Sequence, residues 1–545
     1  MPALLSSVAQ SLRVGSILLR TGVVRSTLAR PDRGLRSVAA LRRWGTSPAG
    51  AFVGTAVRSP GALALIDERG SLTYADIERQ TNALARTLAA RGVREGDVIA
   101  VMARNHRGFV SASLAIAKLG ADVLYLNTMF AGPQIREVCE REQVSLVIHD
   151  DEFGHLFDGL DSGVPRLCSW LADGADHTAV ESLIAAPGTS TADLQPPSRV
   201  GRQVILTSGT TGTPKGAQRP TPRSVAPIAA FLEVVPYRAG DRWLLAAPIF
   251  HTWGFFNSVL CTSLGGTAVL PRRFDPEGTL QWIEQHRCQN LVVVPVMLQR
   301  IVDLGPEVIG RYDLSSLRVI AVSGSAFPGD LAVRVQEVFG DVVYNLYGST
   351  EVAIATIATP EALRVAPGTA GRPTRWTDLK IVDDEGKPVP AGEVGRIFVG
   401  NQLAFEGYTG GGGKERLGGL LSSGDVGHLD EQGLLFVDGR DDDMIITGGE
   451  NVFPREIEDL LINHDAVADA AVIGVPDDRW GQSLRAFVVL RPGEGLSAPE
   501  LQRYVKAHLA SYKVPREILF LDELPRNATG KVLKRELVAR TEVAQ

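Results

Sequence analysis

Leu206-Thr-Ser-Gly-Thr-Thr-Gly-Thr-Pro-Lys-Gly216 follows the apolar run Val204–Leu206 and packs five hydroxyls, three glycines and one lysine into one stretch. The residue types describe a cradle for an anion. Thr207, Ser208, Thr210, Thr211 and Thr213 offer O–H donors, while Gly209 and Gly212 let backbone N–H groups face a phosphate with no side chain in the way. Lys215 adds a point charge. The order is not that of a Walker A loop, because the glycine follows the lysine and no Ser/Thr stands directly after it. A kinase or GTPase reading therefore loses its support, and the competing reading is a surface loop of similar composition.

Working outward, 545 residues imply a large domain with at least one smaller one, and an apolar content of 44% supplies enough material to bury. The net charge of -6 conceals an asymmetry. Residues 1–46 hold eight Arg, no Lys and one acid, Asp32, so this arm carries +7 and the remainder -13. An acidic body does not suit a nucleic-acid binder, which needs a basic face. Cys139, Cys168, Cys261 and Cys288 form no C-x-x-C pair, which argues against a zinc site or disulfide framework and fits a reducing, cytoplasmic setting. The arm has three readings: an interfacial helix on anionic lipid at a membrane periphery, a mitochondrial import segment, or a helical arm packed on its own enzyme. No run of uncharged apolar residues is long enough to span a bilayer.

From Pro60 to about Phe153, strand-like runs (Val98–Met102, Val123–Leu126, Leu146–Ile148) alternate with helical stretches at Ser111–Leu119 and Gly132–Arg141. A second such series runs from Val204 through Trp243–Ala247, Thr267–Leu270, Leu291–Pro295, Arg318–Val322 and Val342–Leu346. The alternation predicts parallel strands with helical crossovers and ligands at the strands' carboxyl ends. Arg104-Asn105-His106, at one such end, has two readings, a site or a polar loop, and the polar loop is the favoured one. After Pro367 short strands with tight turns at Asp384-Glu-Gly386 and Glu431-Gln-Gly433 predict a β-rich subdomain, and a mixed α/β unit follows Arg440.

Three further stretches carry chemistry. Tyr347-Gly-Ser-Thr-Glu351 closes an apolar strand, so Thr350 can meet a phosphoryl oxygen and Glu351 a magnesium ion. Ser423-Gly-Asp425 offers a carboxylate able to accept two sugar hydroxyls, with Arg440 to secure the same sugar or a phosphate. Pro525-Arg-Asn-Ala-Thr-Gly-Lys531 sets a lysine on a glycine-containing loop near the end of the chain.

Together with the Thr207–Gly216 stretch, these motifs resemble those of the adenylate-forming superfamily, in its acyl-CoA synthetase branch, over about residues 50–540. The resemblance implies an α/β fold: a large N-terminal domain of two doubly wound α/β layers plus a small β-rich subdomain, then a mobile α+β C-terminal domain. It implies an adenylation domain at 47–440 and a lid at 441–545. It also implies that Thr207, Ser208, Gly209, Thr210, Thr211, Gly212 and Lys215 hold ATP phosphates, and that Gly324, Ser325, Ala326, Tyr347, Gly348 and Ser349 line the adenine end. Thr350, Asp425 and Arg440 complete the nucleotide site and Glu351 takes Mg2+. Asp442 matches the pivot, Gly448 and Gly449 match the passage for coenzyme A, and Lys531 matches the lysine that reaches the acyl carboxylate and α-phosphate. Ser423 stands where threonine is commoner.

Pro248-Ile-Phe-His251 and Thr252-Trp-Gly-Phe-Phe256 align with the family's acyl segment, which places His251 near the carboxylate. Phe250, Trp253, Phe255 and Phe256 suggest a hydrocarbon wall without the acid an amino-acid substrate would need, and hence fatty-acid activation to acyl-adenylate followed by transfer to coenzyme A. A fatty-acyl-AMP ligase serving a carrier protein, an aromatic-acid CoA ligase and a luciferase-like oxygenase share the motifs.

Overall fold

The structure is a computed structural model describing residues 2–161, 163–171, 179–185, 190–207, 215–218, 225–409, 411–441, 444–447, 450–477, 481–527 and 530–542. Two largely parallel sheets build the large part. The first orders its seven described strands as Gly407–Tyr408, Lys215–Gln218, Gln203–Thr207, Asp122–Tyr125, Val98–Met102, Val144–Asp150 and Arg166–Trp170. The second has nine, with the parallel set Val343–Ser349, Val319–Val322, Asn290–Val293, Arg242–Leu245, Thr267–Val269 and Leu63–Asp67 at its centre. Runs such as Ile99–Met102 and Val319–Val322 are buried throughout, because crossover helices cover parallel strands on both faces.

Strand membership departs from chain order. Gln203–Thr207 pairs in parallel with Asp122–Tyr125, so the strand that heads the second series belongs to the first sheet. The hairpin Leu63–Asp67/Gly70–Thr73 instead joins the second sheet through Thr267–Val269. Apolar periodicity reports burial and not the partner, and the partner is chosen by packing far away in sequence. Gln203–Thr207 and Lys215–Gln218 are antiparallel neighbours, with Thr207 paired to Lys215.

A five-stranded sheet led by Asp378–Val382, Gly395–Gly400 and Leu420–Leu429 forms the β-rich subdomain, and Leu435–Arg440 pairs with Leu420–Leu429. Its turns end on Gly386 and Gly433 at φ 79° and 76°, a left-handed conformation that favours glycine. The terminal unit packs the helices Pro454–Ile462 and Ala498–His508 with the long hairpin Val467–Asp477/Gly481–Leu490 and the strand Glu517–Phe520.

The arm is packed. The helix Pro2–Thr21 lies on Ala226–Val234, with Ile17 fully buried. Pro31–Trp44 lies on Pro48–Arg58, where Ser37 Oγ donates to Gly54 O at 2.7 Å and Trp44 is buried. Glu233 pins the first contact: it pairs with Arg13 of the arm and, at 2.6 Å, with Arg375. The Arg375 guanidinium, helped by Arg13, holds the Glu233 carboxyl down at about 2. A carboxyl depressed in the folded state stabilises fully above its unfolded range and loses that contribution as pH falls toward 2. Glu233→Gln is therefore expected to speed hydrogen exchange in Pro2–Thr21 several-fold at neutral pH, with Arg242–Leu245 unchanged. Equal exchange of that helix in both proteins would show that the ion pairs do not anchor it.

Candidate active site

A cavity of about 1040 Å3 lies where the carboxyl ends of the second sheet's strands meet the β-rich subdomain and the terminal unit. Lys215, His251, Gly324, Ser325, Ala326, Tyr347, Gly348, Ser349, Thr350, Glu351, Asp425, Arg440 and Lys531 all line it. Ser208, Gly209, Thr210, Thr211, Gly212, Asp442, Gly448 and Gly449 fall outside the described residues, as does the side chain of Thr207.

Asp425 is the centre of a polar cluster on the cavity wall. It stands directly opposite Arg440 in an antiparallel pair, and the guanidinium lies 3.5 Å from its carboxylate. The Tyr347 phenol donates to the other oxygen at 2.6 Å. Burial pushes the Asp425 carboxyl up, against the pull of Arg440, Tyr347, Lys531 and Lys414. Lys531, from the terminal unit, thus acts electrostatically on Asp425. Burial and the same carboxylate drive the Tyr347 phenol well above its ordinary range, so it remains a donor. Ser423 is buried, and its hydroxyl donates to Ile397 O and accepts from Asp425 N, both at 3.1 Å, so it holds the strand.

Glu351 is held by a residue that no motif announced. The Tyr408 phenol donates to its Oε1 at 2.8 Å, and Lys215 Nζ lies 5.7 Å from the Tyr408 ring. Tyr408 arrives through the two-residue strand Gly407–Tyr408 paired with Lys215–Gln218, and nothing local in sequence marks that pairing. Beside it Gly216 N donates to Thr409 Oγ1 at 3.0 Å, and a Cβ at Gly216 would stand 2.5 Å from Val204 Cγ1. The glycine after Lys215 is therefore required by the hairpin. Thr350 Oγ1 lies 3.2 Å from Thr252 Oγ1, a second partner missed in sequence.

A single carboxylate with one oxygen already oriented fits Mg2+, which takes one or two protein carboxylates and completes its shell from substrate phosphates and water. No cluster of three His, Cys, Asp or Glu side chains suited to a metal occurs among the described residues. Among the described residues, Glu351 is the carboxylate that would hold such an ion.

The acyl segment divides. Trp253, Gly254 and Phe256 line the cavity, and Trp253 Nε1 is fixed on Val293 O at 3.0 Å. Phe250 instead packs into the core and Phe255 packs on Tyr125, so neither forms the wall expected of them. One face of the helix Thr252–Ser263 looks into the cavity and the other into the core. Asn105 and His106 are likewise no polar surface loop. Asn105 is buried, donates to Leu245 O and Ala247 O and accepts from Ile249 N, which fixes the turn carrying Pro248 and His251. His106 is buried on Asp150 at 2.9 Å.

The lysine loop is preorganised. Asn527 accepts from Lys531 N and donates to Lys531 O, both at 2.9 Å, and Arg526 is tied to Asp469 at 2.6 Å. Gly530 has φ 80°, and a Cβ there would stand 2.4 Å from Val296 Cγ1. Only a glycine lets this loop approach the helix Pro295–Val302 so closely.

His251 Nε2 is buried with no protein hydrogen-bond partner among the described residues, and burial lowers the imidazole to about 4. Since the unfolded chain takes up this proton near 6.5, the buried site loses stability as pH falls from 6.5 to 4 and costs nothing above that window. Histidine NMR of the acid-free enzyme, assigned with His251→Asn, is expected to show a midpoint near 4. A midpoint near 6.5 would mean the ring is solvated.

Residues 52–409 match the family model described as AMP-binding enzyme, and residues 456–531 match the AMP-binding enzyme C-terminal domain. A feruloyl-CoA synthase from an Amycolatopsis species is 35% identical over 493 residues, covering 88% of this chain and 96% of that protein. A fatty acid–[acyl-carrier-protein] ligase from Streptomyces coeruleorubidus is 31% identical over 494 residues, covering 88% and 94%. Among solved structures, the o-succinylbenzoate CoA synthetase of Bacillus subtilis with its acyl-adenylate matches at TM-score 0.76 and 29% identity, over 89% of this chain and 97% of that one. With both domain models matched in order, this chain belongs to the AMP-binding, adenylate-forming enzyme family.

Proposed function

We propose that this protein is an AMP-forming acid–thiol ligase that activates a carboxylic acid with an apolar body and transfers it to coenzyme A. The observation that carries the reading is the meeting of Asp425, Tyr347, Arg440, Glu351 and Lys531 on one cavity. In this reading Asp425 and Arg440 hold the ribose, and Gly324, Ser325, Ala326 and Tyr347 border the adenine. Thr207, Ser208, Gly209, Thr210, Thr211, Gly212 and Lys215, with Ser349 and Thr350, hold the phosphates. Residues 1–46, 47–440 and 441–545 act as arm, adenylation domain and lid.

A carboxylate becomes a useful electrophile only when one oxygen leaves on phosphorus, so two anions must be brought together and the growing charge offset. Mg2+ on Glu351 would neutralise phosphate charge. Lys531 neutralises the α-phosphate and orients the acid, and His251 Nε2, neutral at physiological pH, is placed for a hydrogen bond at the carboxylate. Attack on the α-phosphorus releases pyrophosphate and leaves the acyl-adenylate. The thiol of coenzyme A then displaces AMP, along a path past Gly448 and Gly449 that opens when the lid turns about Asp442.

The acid is read from the wall. Trp253, Phe256, Leu346, Ile354 and Leu403 are apolar. The cavity's described carboxylates other than Glu351 and Asp425 are Glu458, Asp459 and Asp469, all on the terminal unit. Medium- or long-chain fatty acids suit that wall, at about 0.8 kcal/mol per buried methylene. Aromatic acids are the second reading, favoured by the feruloyl and succinylbenzoate enzymes among the relatives, and the carrier-protein ligase keeps a protein thiol as an alternative acceptor. AMP release across a panel of acetate, hexanoate, dodecanoate, benzoate and ferulate, each with and without coenzyme A, tests the proposal. Rates per KM are expected to rise steeply from acetate to dodecanoate. A maximum at ferulate would select the aromatic reading, and acetate equal to both would refute an apolar site.

A further inference from the structure

The arm presents a surface for which nothing in the catalytic cycle has a use. Of the sixteen large hydrophobic side chains that stand exposed among the described residues, six belong to this short segment: Leu12, Leu19, Leu28, Leu35, Val38 and Leu41. Leu35 and Val38, three residues apart along Pro31–Trp44, stand exposed together, while Leu41 lies at the inner edge of the helix against Gly54. The buried side of the same helix, Gly34, Ser37 and Trp44, is already engaged. The exposed leucines are thus not waiting for another part of the described chain. Arginines surround them, with Arg20, Arg25, Arg36, Arg42 and Arg43 exposed. The arm's single acid, Asp32, is shared between Arg30 and Arg36. The family match begins only at residue 52, beyond the arm.

We propose that the outer face of residues 12–43 docks on an anionic lipid leaflet. Leucine and valine side chains enter the boundary between headgroups and acyl chains, and guanidinium groups bind lipid phosphates bidentately, a geometry that lysine does not offer. The choice of eight Arg and no Lys fits that chemistry. The rest of the chain, at -13, is repelled by such a surface, which orients the enzyme arm first. The arm is held rigidly enough to serve as a platform, through Ile17, Trp44 and the Arg13–Glu233 pair. Its seat, the helix Ala226–Val234, also borders a hollow backed by Ile354 and Leu403, two residues of the main cavity. The leaflet would then lie near the apolar end of that cavity. The inference does not rest on the identity of the acid.

Co-sedimentation of the full chain with vesicles of equal parts phosphatidylglycerol and phosphatidylcholine, and with phosphatidylcholine alone, provides the test. Binding is expected on the anionic vesicles and not on the neutral ones. The triple variant R20E/R25E/R42E is expected to bind at least about 100-fold more weakly, from roughly fivefold per arginine near a negative surface. L28S/L35S/V38S should weaken binding at least tenfold. Both variants replace exposed side chains, so wild-type melting temperature and wild-type turnover of a water-soluble acid are expected in each and serve as folding controls. Equal binding to both vesicle types, or no loss in either variant, overturns the proposal. Arm-dependent self-association without vesicle binding overturns it too, and would assign the face to a second copy's acidic body.

Discussion

A carboxylate in the interior has to be compensated, and Asp425 is where this molecule meets that constraint. Burial favours its neutral form, and Arg440, Tyr347, Lys414 and Lys531 oppose that. These partners come from separate pieces of the fold. Tyr347 closes a strand of the second sheet, Arg440 ends the subdomain strand opposite Asp425, and Lys531 comes from the terminal unit. One buried charge therefore couples the three pieces, and removing any partner leaves it under-compensated at a cost of a few kcal/mol. The arrangement also fixes the orientation of the Asp425 carboxyl on the cavity wall.

Close backbone approach does the rest of the positioning. At Gly530 the chain before Lys531 nearly touches Val296, and at Gly216 the strand Lys215–Gln218 meets Val204 and Thr409. At Gly348 a Cβ would stand 1.8 Å from Ala353 O, so the turn carrying Ser349, Thr350 and Glu351 folds back on its own strand only because that residue is glycine. These glycines give the motifs their unusual specificity in sequence: the residue types needed for chemistry and those needed for geometry alternate over a few positions. That is why Tyr347, Glu351, Asp425, Arg440 and Lys531 are legible in the sequence, and they line one cavity.

What sequence did not disclose has a common cause, which is dependence on a remote neighbour. Tyr408 matters because of Glu351, Thr252 because of Thr350, and Asn105 because it ties down the turn before His251. The sheet joined by Gln203–Thr207 and the core positions of Phe250 and Phe255 were equally invisible, since an apolar residue looks the same whether it faces a ligand or a helix. Composition left three readings of the arm. The structure packs its inner face, while Leu12, Leu19, Leu28, Leu35 and Arg20, Arg25, Arg36, Arg42 and Arg43 remain exposed.

The central claim is that the pose seen here, with Lys531 in the cavity and its loop against Val296, serves adenylation and not thioester formation. Single-turnover assays of the two half-reactions in Lys531→Ala test it directly. Adenylation is expected to fall by about 10²- to 10³-fold, the usual loss for one preorganised electrostatic group. Thioester formation from supplied acyl-adenylate and coenzyme A is expected to stay within a few-fold of wild type. Equal slowing of both half-reactions would contradict the two-pose account.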